Sequence, residues 1–173
     1  LKVPDDGYFR SHLARSWSRM LNLLGEYDCR LDAKGRLVLP SALRKQLADV
    51  VSQGFVMNRD VFRSCLVLYP MPEWERTNQM LRRLNRFVEK NMEFIRRFTA
   101  GATPLELDGT GRMLLPYALV KDAQLGNDIK LLGMGDRIEV WSAKAYADMR
   151  REKVDLTSLA EDVMGSLGND DGK

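Results

Sequence analysis

The chain has 173 residues, 45% hydrophobic and 29% charged, a composition near the globular average that supports one core or two small halves sharing it. Its mean hydropathy is −0.33, no apolar run approaches the roughly 20 residues of a membrane span, and Arg19 interrupts Trp17–Leu24, so neither a membrane protein nor a secreted one is expected. The net charge of +3 is unevenly spread: residues 1–100 carry a balance of +7 and residues 101–173 one of −4, and 18 of the 27 cations are Arg, the side chain suited to bidentate phosphate and guanine contacts.

Residues 1–19, with the single histidine His12, lack the repeat pattern found in the rest of the chain and are read as an N-terminal extension. From Gly25 the chain reads GEYDCRLDAKGRLVLPSALRKQL, and from Gly101 it reads GATPLELDGTGRMLLPYALVKDA. At an offset of 76, ten of 21 positions are identical without a gap, among them Asp32/Asp108, Gly35/Gly111, Arg36/Arg112 and Pro40/Pro116. Such identity marks an internal repeat. Each unit predicts a strand (26–31; 103–107), a tight Asp-x-x-Gly-Arg hairpin loop whose glycine supplies positive φ, and a second strand (37–39; 113–115). Pro40 and Pro116 then suit the first position of a short helix, with Ala42, Leu43 and Leu47 on its buried side. Strands near 55–58 and 65–69 complete the first unit, and 129–132 and 137–141 the second, aligned at an offset of 72 with Trp74 against Tyr146. Between the units, Glu73 to Phe98 contains no Gly or Pro and repeats apolar residues at helical spacing (Trp74, Leu81, Leu84, Val88, Ile95, Phe98), which predicts one bent helix or a pair. A helix over 143–151 succeeds the last strand, and the Gly/Asn/Asp-rich 165–173 predicts a flexible tail.

The residues offer little enzyme chemistry. Cys29 and Cys65 form no C-x-x-C pair and cannot build a zinc site with one histidine; they read as two reduced thiols. With a single imidazole, Ser-His-Asp and Cys-His sites are poorly supplied, so no enzyme, metal or cofactor is expected. The two loops lack the spacing of a phosphate-binding P-loop or a calcium loop. Asp32 and Asp108 suit loop capping and local pairing with Arg36 and Arg112, with Gly35 and Gly111 as the turn residues. The first loop is notable for its cations: Arg30, Lys34 and Arg36 near one hairpin tip, with Arg44 and Lys45 a helical turn beyond. Exposed β-ribbons carrying Arg and Lys enter grooves or clamp phosphates; the second loop offers only Arg112.

The duplicated LDAKGRLVLP and LDGTGRMLLP, the GEYD opening and the LYPMPEW segment resemble the MraZ family of bacterial transcriptional regulators, tandem relatives of the AbrB/SpoVT swapped-hairpin DNA-binding domains. The resemblance spans roughly Leu21 to Arg151. It implies an α+β chain whose halves, 24–71 and 100–143, interleave hairpins into one pseudo-twofold β-barrel, with a helical connector at 72–99 and a C-terminal helix and flexible tail at 144–173. It also implies closed ring-shaped homo-oligomers and binding to double-stranded DNA at short direct repeats in the promoter of the division and cell-wall gene cluster. The protein would then be cytoplasmic and nucleoid-associated, with Arg36 and Arg112 as the DNA contacts. The expected contribution falls in the order Arg36, then Lys34 and Arg112, with Arg30 and Arg44 in support. A ring-forming assembly protein without direct DNA readout is the competing reading, and the Trp74/Leu81/Leu84 and Phe94/Ile95/Phe98 groups are expected to help form the subunit interface.

Overall fold

The structure, a computed structural model, describes residues 21–167. The extension assigned to 1–19, His12 within it, and the end of the expected tail, 168–173, lie outside the described residues. Residues up to Ala143 form one body and those from Lys144 a second. In chain order the first body contains β1 (Glu26–Arg30), β2 (Arg36–Val38), α1 (Ser41–Gln46), a 3-10 turn (Val51–Gln53), β3 (Phe55–Arg59), β4 (Leu66–Pro70), α2 (Met71–Arg82) and α3 (Glu89–Thr99). It continues with β5 (Thr103–Leu105), β6 (Arg112–Leu114), α4 (Tyr117–Asp122), β7 (Asp128–Gly133) and β8 (Ile138–Ser142).

The strands form a mixed α+β fold with entirely antiparallel pairing. A six-stranded sheet has the order β1-β7-β8-β4-β3-β5, and β2 pairs with β6 in a separate ribbon of two strands. Exchanging the repeats turns the sheet order into its own reverse. The registers obey the same symmetry: Val67 lies opposite Glu139, its equivalent at the offset of 72, and Leu37 lies opposite Met113, its equivalent at 76. A pseudo-twofold axis therefore passes through both pairs.

This pairing corrects the hairpin expectation. The loops do close tightly, with Asp32 N–H on Arg36 O at 3.0 Å, Gly35 N–H on Asp32 O at 2.9 Å, and a bridge between Leu31 and Leu37. Beyond that bridge the flanking strands part. β1 runs along β7 of the other repeat, and β2 along β6. A lone two-stranded hairpin would leave its apolar face uncovered; crossing to the other repeat puts Tyr27, Cys29, Leu37 and Met113 on a common core. The expected single closed barrel is likewise two sheets, with β1 and β5 at the edges of the larger one.

One core serves both repeats. Leu37, Leu39, Leu43, Leu47, Leu66 and Leu68 pack with their counterparts Met113, Leu115, Leu119, Ala123, Ile138 and Val140. Ala42, expected on the buried side of α1, is exposed, because Leu43 and Leu47 alone complete that helix's inward face. Pro40 and Pro116 precede their helices as caps with extended ψ (140° and 123°) and do not occupy the first helical position. Their carbonyls accept the first helical bonds, from Arg44 and Val120.

The connector is a pair of helices. Asn85 divides them: its Oδ1 accepts the Phe87 N–H at 2.9 Å and its carbonyl accepts Asn91 Nδ2 at 2.9 Å, a local alternative to helical bonding. Val88 consequently lies exposed before α3. The pair covers β3 and β4 on the side away from the core. Trp74 of α2 stands 5.6 Å from Tyr69 and 5.9 Å from Phe98, which in turn lies 5.8 Å from Phe94. Buried Asn58 donates Nδ2 to Phe98 O at 2.8 Å. The Trp74 group thus caps its own chain.

The second body holds α5 (Ala143–Arg151) from its second residue onward, and α6 (Leu156–Leu167). The sequence pattern does not predict α6, which makes Gly165 and the two residues after it helical in place of the expected flexible tail. Its start signal is Asp155, whose carboxylate accepts the N–H groups of Thr157 and Ser158 at 3.0 and 3.2 Å, a capping arrangement. No helix among the described residues is long and apolar enough to cross a membrane.

Candidate nucleic-acid interface

Side-chain alternation along the two short strands decides what the β2–β6 ribbon presents. Successive side chains point to opposite faces. Leu37 and Met113, fully buried, point into the core, so Arg36, Val38, Arg112 and Leu114 all face outward. Arg36 lies opposite Leu114 and Arg112 opposite Val38, giving an outer face with two arginines on one diagonal and two exposed apolar side chains on the other. Sequence reasoning read a strand here and did not single out Val38 and Leu114. The signal was available in the period-two alternation around Leu37 and Met113.

The ladder runs one step past each strand end, with Leu115 N–H on Gly35 O at 3.1 Å and Leu39 N–H on Gly111 O at 3.0 Å. The two loops therefore sit at opposite ends of the ribbon, about 13 Å apart at ~3.3 Å per residue. Gly35 and Gly111 adopt φ of 73° and 78°, the left-handed region that glycine enters without penalty.

Each loop is built around its aspartate. Asp32 Oδ1 accepts the N–H of Lys34 at 2.8 Å and of Arg36 at 3.0 Å, while Oδ2 accepts Arg36 Nε at 2.7 Å. Asp108 does the same for Thr110 and Arg112, with Nε of Arg112 at 3.0 Å, and also accepts the Thr110 hydroxyl at 2.6 Å. These donors hold both carboxyls below their ordinary range. For Asp32 the Arg36 backbone N–H contributes most, and for Asp108 the Thr110 hydroxyl. The pairing anticipated between Asp and Arg is present, and it uses Nε alone. Among the described residues neither terminal nitrogen of these guanidiniums makes a hydrogen bond, and the terminal nitrogens are the end that forms a fork with guanine O6/N7 or phosphate.

Of the other sequence-predicted residues, Lys34 stays on the first loop, next to Gly35. Arg30 does not join it: it faces Asp128 of β7 at 3.6 Å, both side chains about three-quarters exposed, a pair of little energetic weight that offsets its charge. Arg44 leaves the first loop altogether. Its guanidinium lies over Gly111 of the second, where a Cβ would come within 2.7 Å of Nη1.

Elsewhere, burial pushes both cysteine thiols up, and among the described residues no three His, Cys, Asp or Glu side chains converge as metal ligands.

A family model described as "MraZ protein, putative antitoxin-like" matches residues 22–96 and again 98–165. The chain belongs to the MraZ family. Each MraZ match contains one of the two repeats read from the sequence. The chain is similar to the Transcriptional regulator MraZ of Flavobacterium psychrophilum (45% identity over 153 residues, 88% of this chain and 98% of that one) and of Christiangramia forsetii (47% over 153 residues, 88% and 97%). That of Clostridium acetobutylicum is 33% identical over 145 residues, 84% and 98% of the two chains. MraZ membership makes this chain a transcriptional regulator and not an enzyme, as the motifs led one to expect.

Proposed function

We propose that the chain regulates transcription by binding double-stranded DNA with the outer face of the β2–β6 ribbon. Arg36 and Arg112 are the base- or phosphate-reading groups, and Lys34, Arg30 and Arg44 add phosphate contacts. The observation that carries this reading is the pair of aspartate-braced arginines, related by the pseudo-twofold axis and with terminal nitrogens that bond nothing among the described residues. Their loops are separated by a span of roughly four base-pair steps at ~3.4 Å each. Val38 and Leu114 between them suit contact with thymine methyl groups.

The crossed pairing of the repeats supports the swapped-hairpin relation to AbrB-like domains, with 24–71 and 100–143 as the two units, 72–99 as connector and 144–173 as C-terminal region. The operator is the set of direct repeats in the promoter of the division and cell-wall cluster, including the protein's own gene, and the site of action is the nucleoid in the cytoplasm. A closed homo-oligomeric ring would bring several ribbons to one face. What supports it is apolar surface left after Trp74 and Phe98 are satisfied internally: a groove of about 460 Å³ where Val61 and Phe94 meet Arg59 and Arg97, with Phe62 exposed beside it.

A mobility-shift titration with the DNA upstream of its own gene, at two salt concentrations and against an unrelated duplex, tests the reading. Preferential binding that weakens steeply with salt is expected. Absence of any shift at low salt would leave the ring-forming assembly reading in its place.

A further inference from the structure

The two loops are unequal in sequence. The first reads Asp-Ala-Lys-Gly-Arg and the second Asp-Gly-Thr-Gly-Arg, so Thr110 stands where Lys34 would recur. Thr110 is also committed, since its hydroxyl is bound to Asp108. On sequence the second loop has one cation and the first has two.

The fold removes that difference from an unexpected direction. Arg44, in the last turn of α1 in the first repeat, lays its side chain across the second repeat's Gly111. A Cβ there would meet Nη1 at 2.7 Å, Cζ at 3.1 Å and Cδ at 3.3 Å. At the symmetric place, Gly35 has nothing within 4 Å, because the counterpart of Arg44 is Val120, too short to reach. Among the described residues no carboxylate lies within ion-pair distance of Arg44, which is exposed. Arg30, Arg59 and Arg112, by contrast, are each paired with a carboxylate: Asp128, Asp122 and Asp108.

We propose that Arg44 serves as the second loop's phosphate-binding cation, replacing across the repeat boundary the lysine that loop lacks. Each end of the ribbon then carries one aspartate-braced arginine and one unbraced cation, Lys34 at one end and Arg44 at the other. The glycine at 111 has two duties. It supplies the positive φ of the turn and the bare surface on which the guanidinium rests. This inference rests on the DNA reading above.

The test is fluorescence anisotropy with a duplex from upstream of its own gene, over a salt series. Arg44→Ala and Lys34→Ala should each lower the slope of log affinity against log salt by about 1, weakening operator and unrelated duplex alike. Their effects should add, since the two sites are about 13 Å apart, at ~3.3 Å per residue along the ribbon, and share no partner. Arg44→Ala with Thr110→Lys, which places a lysine where the first loop has one, should restore the slope. Lys45→Ala is the control: Lys45 lines a different groove with Asp49 and Arg76, and its loss should leave the slope unchanged. If Arg44→Ala binds like the parent while Arg36→Ala and Arg112→Ala fail, the inference is overturned and the DNA reading survives. An equal loss from Lys45→Ala would also overturn it, by reducing the effect to net charge. If Arg36→Ala and Arg112→Ala bind normally as well, the DNA reading itself falls.

Discussion

Leu37 and Val38 are neighbours on a three-residue strand, yet they should fail in different assays. Leu37 and its pseudo-symmetry mate Met113 are 0% and 1% exposed, whereas Val38 and Leu114 are 52% and 60% exposed. Truncating a fully buried Leu or Met to Ala costs ~2–5 kcal/mol through lost burial and the cavity left behind. At about 4 °C per kcal/mol for a body of this size, Leu37→Ala or Met113→Ala should lower the melting temperature by roughly 8–20 °C. The two face each other across the ribbon, so the double variant should depart from additivity by about 0.5–3 kcal/mol. Val38→Ala and Leu114→Ala change exposed positions and should stay within about 0.5 kcal/mol of the parent. Their effect should instead be a modest loss of operator affinity. Calorimetric melting and anisotropy on all four single variants make the comparison. The reasoning fails if Val38→Ala melts as low as Leu37→Ala, because a ribbon slipped by one residue exchanges its two faces.

Three further outcomes are expected from the same geometry. Arg36→Ala and Arg112→Ala should each cost about 1–3 kcal/mol of discrimination between operator and unrelated duplex, read by competition binding, with folding intact by circular dichroism. Asp32 and Asp108 titrate below the ordinary value of 3.8, so their bracing is fully present above that value and is lost as pH falls below about 4. Replacing both by Asn should flatten the fall in melting temperature between about pH 4 and pH 2, and should weaken DNA binding at neutral pH by freeing the arginines. Asn58→Ala removes the buried bond to Phe98 O and should cost ~1–3 kcal/mol, with faster proteolytic cleavage near α3 as its local signature.

The repeat was legible because its constraints are local. Asp32, Gly35 and Arg36 recur as Asp108, Gly111 and Arg112 since a tight turn needs the same acceptor, the same positive φ and the same brace wherever it occurs. The helix over Ala143–Arg151 was legible for a similar reason, and so was the inward placement of Leu43 and Leu47. What escaped was partnership between segments far apart in the chain. Nothing in Glu26–Arg30 says whether it pairs with the strand after its own turn or with Asp128–Gly133, because both choices satisfy the same alternation. The choice is made by burial, which only the assembled pair of repeats supplies. The same blindness misassigned Arg44. Along the chain it lies a helical turn beyond the first loop, and only the crossing of the repeats carries it to Gly111. In a duplicated fold of this kind, each repeat builds the other's surroundings. The residues that complete a loop are therefore best sought opposite the pseudo-twofold axis, not beside the loop in sequence. Substitutions that look asymmetric between repeats, such as Lys34 against Thr110, can be balanced by a second asymmetry, Arg44 against Val120, on the other side.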